Sequence, residues 1–278
     1  MRSRQGFFLQ SGVILRIKLT RKHLDSLYLK YNRRDFVHPD PLEFLYRYEN
    51  ARDREIAGLI ASSLAYGNVK QILKSVSKVL DKTGSPYDFL MNSDRNGISA
   101  AFSGFKHRFT AGKDLSDMLL SAKFAIGKYG SLEKCFMSGM RKSDTDIIPA
   151  LRSFVRNLSS EFNRGENFLL PSPDRGSACK RLNLYLRWMV REDDVDPGGW
   201  KHIPESKLLI PLDVHMWNIC REAGFTVRKQ ANLKSVLEIT AKFAEINPGD
   251  PVKYDFTLSR FGIRDELEYA DIYSFSEK

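Results

Sequence analysis

The sequence predicts an all-α fold, because apolar residues recur with a helical period over long segments and sustained β-branched alternation is scarce. The strongest helical pattern covers residues 69–80, where apolar residues form one stripe and lysines lie on the opposite side. A shorter apolar stripe covers residues 56–64, and the turn-forming Tyr66-Gly67-Asn68 separates the two stripes. We therefore predict two consecutive helices joined by a short polar loop.

Two later segments show the same helical period. Pro149 stands where the first turn of a helix tolerates proline, and an apolar stripe follows it as far as Phe162. Another stripe covers residues 236–244 and ends before the helix-breaking residues 247–249. Both patterns predict amphipathic helices that bury one face.

Turn-forming residues dominate two other segments. Residues 84–114 contain glycine, serine, asparagine and a Ser-Pro pair, so we expect irregular chain with short helical pieces there. Residues 192–207 combine an acidic run with Asp-Pro-Gly-Gly, and this run lacks the alternating ligands and distal glutamate of an EF-hand loop. We therefore interpret residues 192–207 as a solvated turn.

Composition restricts the class of protein. The chain of 278 residues is 42% hydrophobic and 12% aromatic, which is enough to bury a substantial core in one domain or two closely packed ones. Its net charge of +10 favours a polyanionic partner, although charge alone is weak evidence. Three widely separated cysteines argue against a disulfide scaffold, a zinc ribbon or an iron–sulfur site, and they indicate a cytoplasmic location. No uninterrupted apolar run approaches about 18 residues, so we predict neither a signal peptide nor a membrane span. We expect the first dozen residues to form a loose extension.

The segment 180–191 predicts a helix with one apolar and one basic face. Lys180 begins this helix, and Arg187 and Arg191 lie roughly along the same face as Lys180. Gly176 opens the turn before it. A glycine-bearing hairpin that leads into a helix presents backbone N–H groups to a phosphate, and the helix dipole adds to the attraction.

Asp213 precedes a further apolar helical pattern that ends at Gly224. The simplest interpretation is an N-cap, whose carboxylate accepts a backbone N–H bond and contributes about 1 kcal/mol. A cap also fixes the position of a carboxylate and favours its charged form. Such a group can stabilise positive charge that develops at a sugar C1′ atom, or assist deprotonation of Lys180.

Together these two segments resemble the helix-hairpin-helix DNA glycosylase superfamily. Residues 176–180 match the Gly-x-Gly-x-Lys hairpin signature with Ala178 at the second glycine, and residues 212–215 are similar to the Val-Asp-x-His motif, especially in its eukaryotic 8-oxoguanine glycosylase form. The resemblance covers roughly residues 50–265. It is closest to a family of uncharacterised bacterial proteins that share the blocks beginning here at Arg54, Cys179 and Lys253.

The resemblance implies a role for each candidate residue. It makes Lys180 an amine nucleophile assisted by Asp213, and it implies DNA contacts by Gly176, Ala178, Arg181, His215, Tyr66, Asn68 and Lys70, and a base pocket formed by Asp255 and Phe256. Tyr66 and Asn68 would fill the gap that a flipped nucleotide leaves, because the reacting carbon is inaccessible while the base stays stacked. Each assignment has a structural alternative, namely a lysine at a helix face, a surface histidine, an ordinary inter-helix turn and structural Asp255 and Phe256.

The resemblance also implies an organisation and an activity. We expect two closely packed helical subdomains with a cleft between them. They consist of a barrel-like subdomain that ends in the helix-hairpin-helix (55–191) and a C-terminal subdomain with the aspartate motif (192–278), on which an N-terminal segment (1–54) packs. The expected activity is DNA base excision with strand cleavage by a monomer, without cofactor, metal, membrane or obligate protein partner. The favoured lesion is an oxidised purine, and the alternative is a non-catalytic DNA-binding protein. Lys180 and Asp213 are 33 positions apart, a gap that an insertion at 192–207 explains if it forms a surface loop.

Overall fold

The computed structural model describes residues 19–159 and 167–272, most of which are helical, so the prediction of an all-α fold is confirmed. Within these residues, no helix is long and apolar enough to cross a membrane. The α-helices are α1 (Arg21–Tyr31), α2 (Ala51–Ser63), α3 (Val69–Thr83), α4 (Pro86–Asn92), α5 (Arg95–Phe102), α6 (Gly112–Tyr129), α7 (Leu132–Met137), α8 (Ile148–Ser159), α9 (Lys180–Val190), α10 (Val214–Glu222), α11 (Leu233–Ile246) and α12 (Asp255–Ile263).

The helices with a strong apolar period form where the sequence predicts them. Asn50 and Asn68 begin α2 and α3, because each side-chain oxygen accepts a backbone N–H bond of the first turn. The helices α8 and α11 match the two later apolar stripes. Phe162 and the N-terminal extension lie outside the described residues.

Residues 84–114 contain the short helical pieces that we expected there, but the segment is more regular than its composition indicates. Ser85 caps α4 and Asp94 caps α5, and a short antiparallel hairpin of β1 (Lys106–His107) and β2 (Thr110–Ala111) then leads into α6. Serine, aspartate and proline begin helices as well as turns, so a turn-like composition is compatible with two short helices.

The interpretation of residues 192–207 as a solvated turn is wrong. Its turns are present, but Asp196 is 0% exposed and accepts hydrogen bonds from Arg187 and Arg191 of α9. Asp193 is bonded to Arg191 and to the hydroxyl of Tyr28. The segment therefore neutralises two buried guanidinium groups, which is a structural role.

One continuous apolar core connects the helices, with α2 near its centre. The helix α2 packs on α9 and on a 3-10 segment, Pro41–Arg47. At the α2–α9 contact, a Cβ added to Gly58 would lie 3.2 Å from the ring of Tyr185. The N-terminal α1 packs on α12, and Asp25 of α1 is bonded to Lys253 and Tyr254. The predicted contact between the N-terminal segment and the C-terminal part is consistent with these bonds, while the division at residues 54 and 191 stays a prediction.

Candidate functional site

A pocket of about 450 Å³ opens where the α2–α3 loop, α9 and the first residues of α10 meet α12. Its volume lies within the range of small-molecule sites in proteins. Polar and charged side chains line it beside apolar ones, and those used below are Asp40, Asn68, Lys180, Arg187, Asp213, His215, Asp255 and Arg260.

Lys180 and Asp213 meet at this pocket, although the sequence separates them widely. Lys180 is the first residue of α9, and its Nζ lies 3.4 Å from Oδ2 of Asp213. The other carboxylate oxygen, Oδ1, accepts a 2.9 Å hydrogen bond from the backbone N–H of Met216 and caps α10. The prediction that Asp213 is an N-cap is therefore confirmed. Because the cap holds Oδ1, the other oxygen, Oδ2, points towards the Lys180 amine. The lysine side chain is 35% exposed and the aspartate 19%, so the pair is accessible to a ligand.

Asp255 and Arg187 form a second charged pair in the wall of the pocket. Asp255 is the first residue of α12, and its Oδ2 accepts a hydrogen bond from Nη1 of Arg187. Burial raises the pKa of Asp255 to about 6, although the Arg187 charge opposes this, and the negative charge of Asp213 adds to the rise. The sequence placed Arg187 on the same helix face as Lys180 without giving it a role.

Phe256 does not reach the pocket. It is fully buried, and the guanidinium groups of Arg187 and Arg260 lie 5.8 and 4.2 Å from the centre of its ring. The expected stacking of Phe256 on a base is wrong for this arrangement, because a fully buried ring presents no face to a ligand in the pocket. Phe256 supports the two arginines instead.

The hairpin before α9 uses part of its backbone internally. Gly176 has a φ of 72°, donates its N–H to Pro173 and accepts a bond from Leu233 at the start of α11. The carbonyl of Ala178 accepts a 3.1 Å bond from the side chain of Asn183. The N–H of Gly176 is thus engaged within the protein, and the predicted DNA contact of Gly176 stays a prediction. The chain from α8 to α9 crosses residues outside the described ranges, and the helix-hairpin-helix motif stays a prediction.

Cys179, one step before Lys180, adopts a left-handed conformation with a φ of 46°. Its N–H donates to the hydroxyl of Ser177, and its buried thiol donates to the carbonyl of Pro171. Burial raises the pKa of this thiol to about 11, which keeps it protonated and unreactive at neutral pH. Cys179 therefore supports the turn that delivers Lys180 to the pocket.

His215 lies on the first turn of α10, lines the pocket and is half-buried. Its Nδ1 is 2.8 Å from the hydroxyl of Tyr269. The helix α12 crosses close to the imidazole, since a Cβ added to Gly262 would lie 2.5 Å from Cγ of His215. The ring is fixed between two elements, and its predicted DNA contact is untested.

The α2–α3 loop forms one rim of the pocket. Asn68 lines the pocket, and its side chain also caps α3 by accepting a hydrogen bond from the backbone N–H of Lys70. Lys70 is exposed. Tyr66 is held back from the rim, because its hydroxyl is 2.9 Å from the carbonyl of His107 and 2.6 Å from Oγ1 of Thr110. Of the two gap-filling candidates, Asn68 is the one that reaches the pocket.

The side chain of Arg181 contacts residues next to the same rim from inside the protein. Its guanidinium donates to the carbonyl of Ser63 and lies over the rings of Tyr66 and Phe168. Burial lowers its pKa to about 10, so it remains a cation at neutral pH. Its predicted DNA contact competes with these internal bonds.

Two exposed aromatic side chains beside the rim have no counterpart in the sequence analysis. Phe109, at the tip of the β1–β2 hairpin, is 77% exposed, and Phe168 is 54% exposed. Their ring centroids are 6.5 Å apart, and Arg108 lies over Phe109 while its side chain packs against Gly67 of the α2–α3 loop. Exposed aromatic rings next to cations are typical of surfaces on which nucleobases stack. Hydropathy could not identify them, because it does not separate an exposed phenylalanine from a buried one.

The site thus supplies an amine, a fixed carboxylate and a buried arginine–carboxylate pair around one pocket. These are groups for amine–carbonyl or glycosidic chemistry and for binding a polar ligand. Within residues 19–159 and 167–272, no group of three or more histidine, cysteine, aspartate or glutamate side chains suits a metal ion.

Comparison with known proteins gives one match. Searches of curated proteins and of solved structures found no match to this chain. A family described as a protein of unknown function, DUF2400, matches residues 40–264, which include every pocket residue named above. The chain therefore belongs to the DUF2400 family of proteins of unknown function.

Proposed function

We propose that the protein is a DNA base-excision glycosylase with AP lyase activity, in which Lys180 is the nucleophile and Asp213 assists it. The distance of 3.4 Å between Lys180 Nζ and Asp213 Oδ2, at a pocket that can hold a base, carries this proposal. The resemblance to helix-hairpin-helix glycosylases supports the same roles. An oxidised purine such as 8-oxoguanine is the favoured lesion.

The chemistry follows from the two groups. The Lys180 ammonium must first lose a proton, for which the Asp213 carboxylate is the adjacent acceptor. The amine lone pair then attacks C1′, the bond from C1′ to the base breaks, and the base leaves with the electron pair and gains a proton. Opening of the sugar ring gives an imine between C1′ and Nζ. Loss of a C2′ proton then expels the 3′ phosphate and cleaves the strand.

Several features near the pocket support DNA as the partner. The chain carries a net charge of +10. Lys70, Lys74 and Lys78 lie at helical spacing on the exposed side of α3, which begins at the rim. A row of exposed lysines can neutralise the phosphates of a nucleic-acid backbone. The exposed Phe109 and Phe168 add a surface for stacking.

Borohydride trapping tests the proposal. Borohydride reduces an imine between enzyme and DNA to a stable amine, so incubation with duplexes that contain modified bases or an abasic site should give a covalent adduct. Lys180→Ala should abolish the adduct. Lys113→Ala is the matched control, because Lys113 forms an exposed ion pair with Asp117 away from the pocket and its loss should leave the adduct unchanged. Absence of an adduct for the wild type across a broad panel of lesions would refute the lyase activity.

A second candidate is a non-catalytic DNA-binding protein. The ion pair between Lys180 and Asp213 favours it, since a paired ammonium is not nucleophilic. This candidate requires salt-dependent DNA binding with no adduct and no base release, and Asp213→Asn should leave the nature of that binding unchanged. For the glycosylase, the same substitution should slow base release by about a hundredfold or more, the size typical of removing a general acid or base.

A further inference from the structure

The short β1–β2 hairpin presents an aromatic side chain at its tip. His107 pairs with Thr110 across the hairpin, so the turn consists of Arg108 and Phe109 alone. Arg108 adopts a left-handed conformation with a φ of 52°, which two-residue hairpin turns normally give to glycine, asparagine or aspartate. Non-glycine residues in this conformation cluster at functional sites. The hairpin therefore ends in a strained turn that holds the ring of Phe109 outwards, 77% exposed.

Hydrogen bonds fix this hairpin to the α2–α3 loop and to α3. The hydroxyl of Tyr66 donates to the carbonyl of His107 and lies 2.6 Å from Oγ1 of Thr110. The ring of the buried His107 continues the network, because its Nε2 donates to the carbonyl of Tyr66 and its Nδ1 lies 2.9 Å from the hydroxyl of Ser75. Tyr66, to which the resemblance gives a gap-filling role, is thus part of the support, and Phe109 is the ring that projects.

A second exposed ring and two arginines lie beside Phe109. Phe168 is 54% exposed, and its ring makes an edge-to-face contact with that of Phe109. The guanidinium of Arg181 lies 4.5 Å from the centre of the Phe168 ring and donates to the Phe168 carbonyl. The guanidinium of Arg108 lies 5.5 Å from the centre of the Phe109 ring, and its side chain packs on Gly67, which lines the candidate pocket. Phe109 and Phe168 therefore form an aromatic platform at the border of the pocket.

Charge indicates which kind of partner the aromatic platform fits. Lys106 and Arg108 on the hairpin are exposed, as is Lys70 on α3, the helix that packs on β1. Among the residues that the structure describes, no carboxylate forms an ion pair with any of these three cations. An apolar protein surface would cover the rings and leave the cations without counter-charges, whereas each nucleotide of a strand supplies both a base and a phosphate. A base inside a matched duplex has both faces covered by its neighbours, so the exposed ring fits an unpaired base.

We propose that Phe109, supported at its side by Phe168, stacks on an unpaired nucleobase, and that this contact makes the protein prefer DNA with a locally unpaired base to a matched duplex. The stacking contact extends the proposed function, and it rests on that function only for the presence of DNA at this rim. It requires neither a lesion nor Lys180. The pocket takes the reacting nucleotide, and the aromatic platform binds a second, undamaged base beside it.

Fluorescence anisotropy with two labelled duplexes tests the preference. The duplexes share one sequence without a lesion, and one of them carries a single unpaired thymine as a bulge. The wild type should bind the bulged duplex about tenfold more tightly, which is the size of one base–aromatic stack, and Phe109→Ala should bring the two affinities within about twofold of each other. Because Phe109 is exposed, thermal unfolding of this variant should match that of the wild type.

Phe124→Ala is the matched control. Phe124 is also an exposed phenylalanine, 43% accessible, but it lies on α6 roughly 18 Å along the helix axis from the end of the hairpin. Its truncation should leave the tenfold preference for the bulged duplex unchanged. Equal wild-type affinities for the two duplexes would overturn the inference, and so would a preference that Phe109→Ala retains in full.

Phe109→Trp gives a direct readout of the stacking. Trp188 and Trp200 are buried, so this substitution adds a surface indole whose emission a stacked base quenches. At saturation, the bulged duplex should quench the emission more than the matched duplex does, after subtraction of the wild-type titration. Equal quenching by the two duplexes would overturn the inference. A wild-type dimer in analytical ultracentrifugation that Phe109→Ala converts to a monomer would also overturn it, because a second copy of this chain would then cover the platform.

These outcomes are separable from those of the borohydride experiment. A preference for the bulged duplex that Phe109→Ala removes, with no borohydride adduct, would support the inference and remove the proposed lyase activity. An adduct without any preference for the bulged duplex would overturn the inference and leave the proposed function in place.

Discussion

The buried Glu55 gives a test of the structure that is independent of any activity. Glu55 lies on α2 and is 4% exposed. Its Oε1 accepts 2.8 Å hydrogen bonds from Nε1 of Trp200 and from the backbone N–H of Glu133 at the start of α7. Burial raises the pKa of Glu55 from 4.5 to about 7, and the hydrogen bonds oppose this only in part.

The direction of the effect follows from proton binding. The folded protein holds the Glu55 proton more tightly than the unfolded chain does. The protonated Glu55 therefore contributes fully to the free energy of unfolding below pH 4.5, and this contribution is lost as the pH rises through about 7. A rise from 4.5 to about 7 corresponds to about 3 kcal/mol at alkaline pH. This value is an upper bound on the free-energy cost of burying the Glu55 charge.

Glu55→Gln removes the titration and keeps an oxygen that accepts both hydrogen bonds. At pH 5 the variant should be about as stable as the wild type, and at pH 8.5 it should be more stable by about 2–3 kcal/mol. Urea unfolding followed by far-UV circular dichroism at pH 5, 7 and 8.5 measures the difference. Glu245→Gln is the control, because Glu245 is exposed and paired with Lys242, so its difference should stay near zero. A Glu55→Gln difference that is constant across these pH values would refute the reasoning.

Three further substitutions test other contacts. Gly262→Ala should lower the free energy of unfolding by about 1–2 kcal/mol, because the new Cβ would displace the ring of His215 and the gain in helix propensity offsets only part of that strain. Thermal unfolding measures this loss, and equal or higher stability of the variant would contradict the close contact. Phe109→Ala should weaken binding to DNA roughly tenfold in fluorescence anisotropy if the hairpin tip stacks on a base, whereas Leu29→Ala, which truncates an equally exposed side chain on α1, should leave binding unchanged. Asp196→Asn should destabilise the protein by about 3 kcal/mol in urea, since it takes a buried partner from two arginines, and a loss below about 1 kcal/mol would show that those ion pairs contribute little.

The sequence predicted those helices whose own pattern determines them. The apolar stripe of α3 and the cap at Asn68 are local signals, and both appear in the structure. The helices α4 and α5 were expected only as short helical pieces without bounds, because short helices depend on tertiary contacts more than on their own period. Ser85, which caps α4, is itself held by a distant residue, since its hydroxyl donates a hydrogen bond to Asp53 of α2. Such a contact is not visible in a local window.

For the site, the sequence supplied the pair but not its surroundings. The proximity of Lys180 and Asp213 came from a resemblance of motifs, and the structure brings the two atoms to 3.4 Å. The role of Arg187 could not be foreseen, because its partners Asp196 and Asp255 come from two separate segments. Of the two residues expected to form a base pocket, Asp255 lines the pocket, while Phe256 is buried in the core.

The wide gap between Lys180 and Asp213 acquires a physical reason from the buried charges. If residues 192–207 were a solvated loop, shortening the gap would cost little, because loop length affects stability only weakly. Instead, this segment supplies Asp196, which lies between the two guanidinium groups of α9. Without that carboxylate, Arg187 and Arg191 would lose a buried partner, and an uncompensated buried charge costs about 3–5 kcal/mol. A helix that carries Lys180 at the pocket and arginines beneath it therefore requires the acidic segment, and the long spacing is a consequence of how the pocket wall is charged.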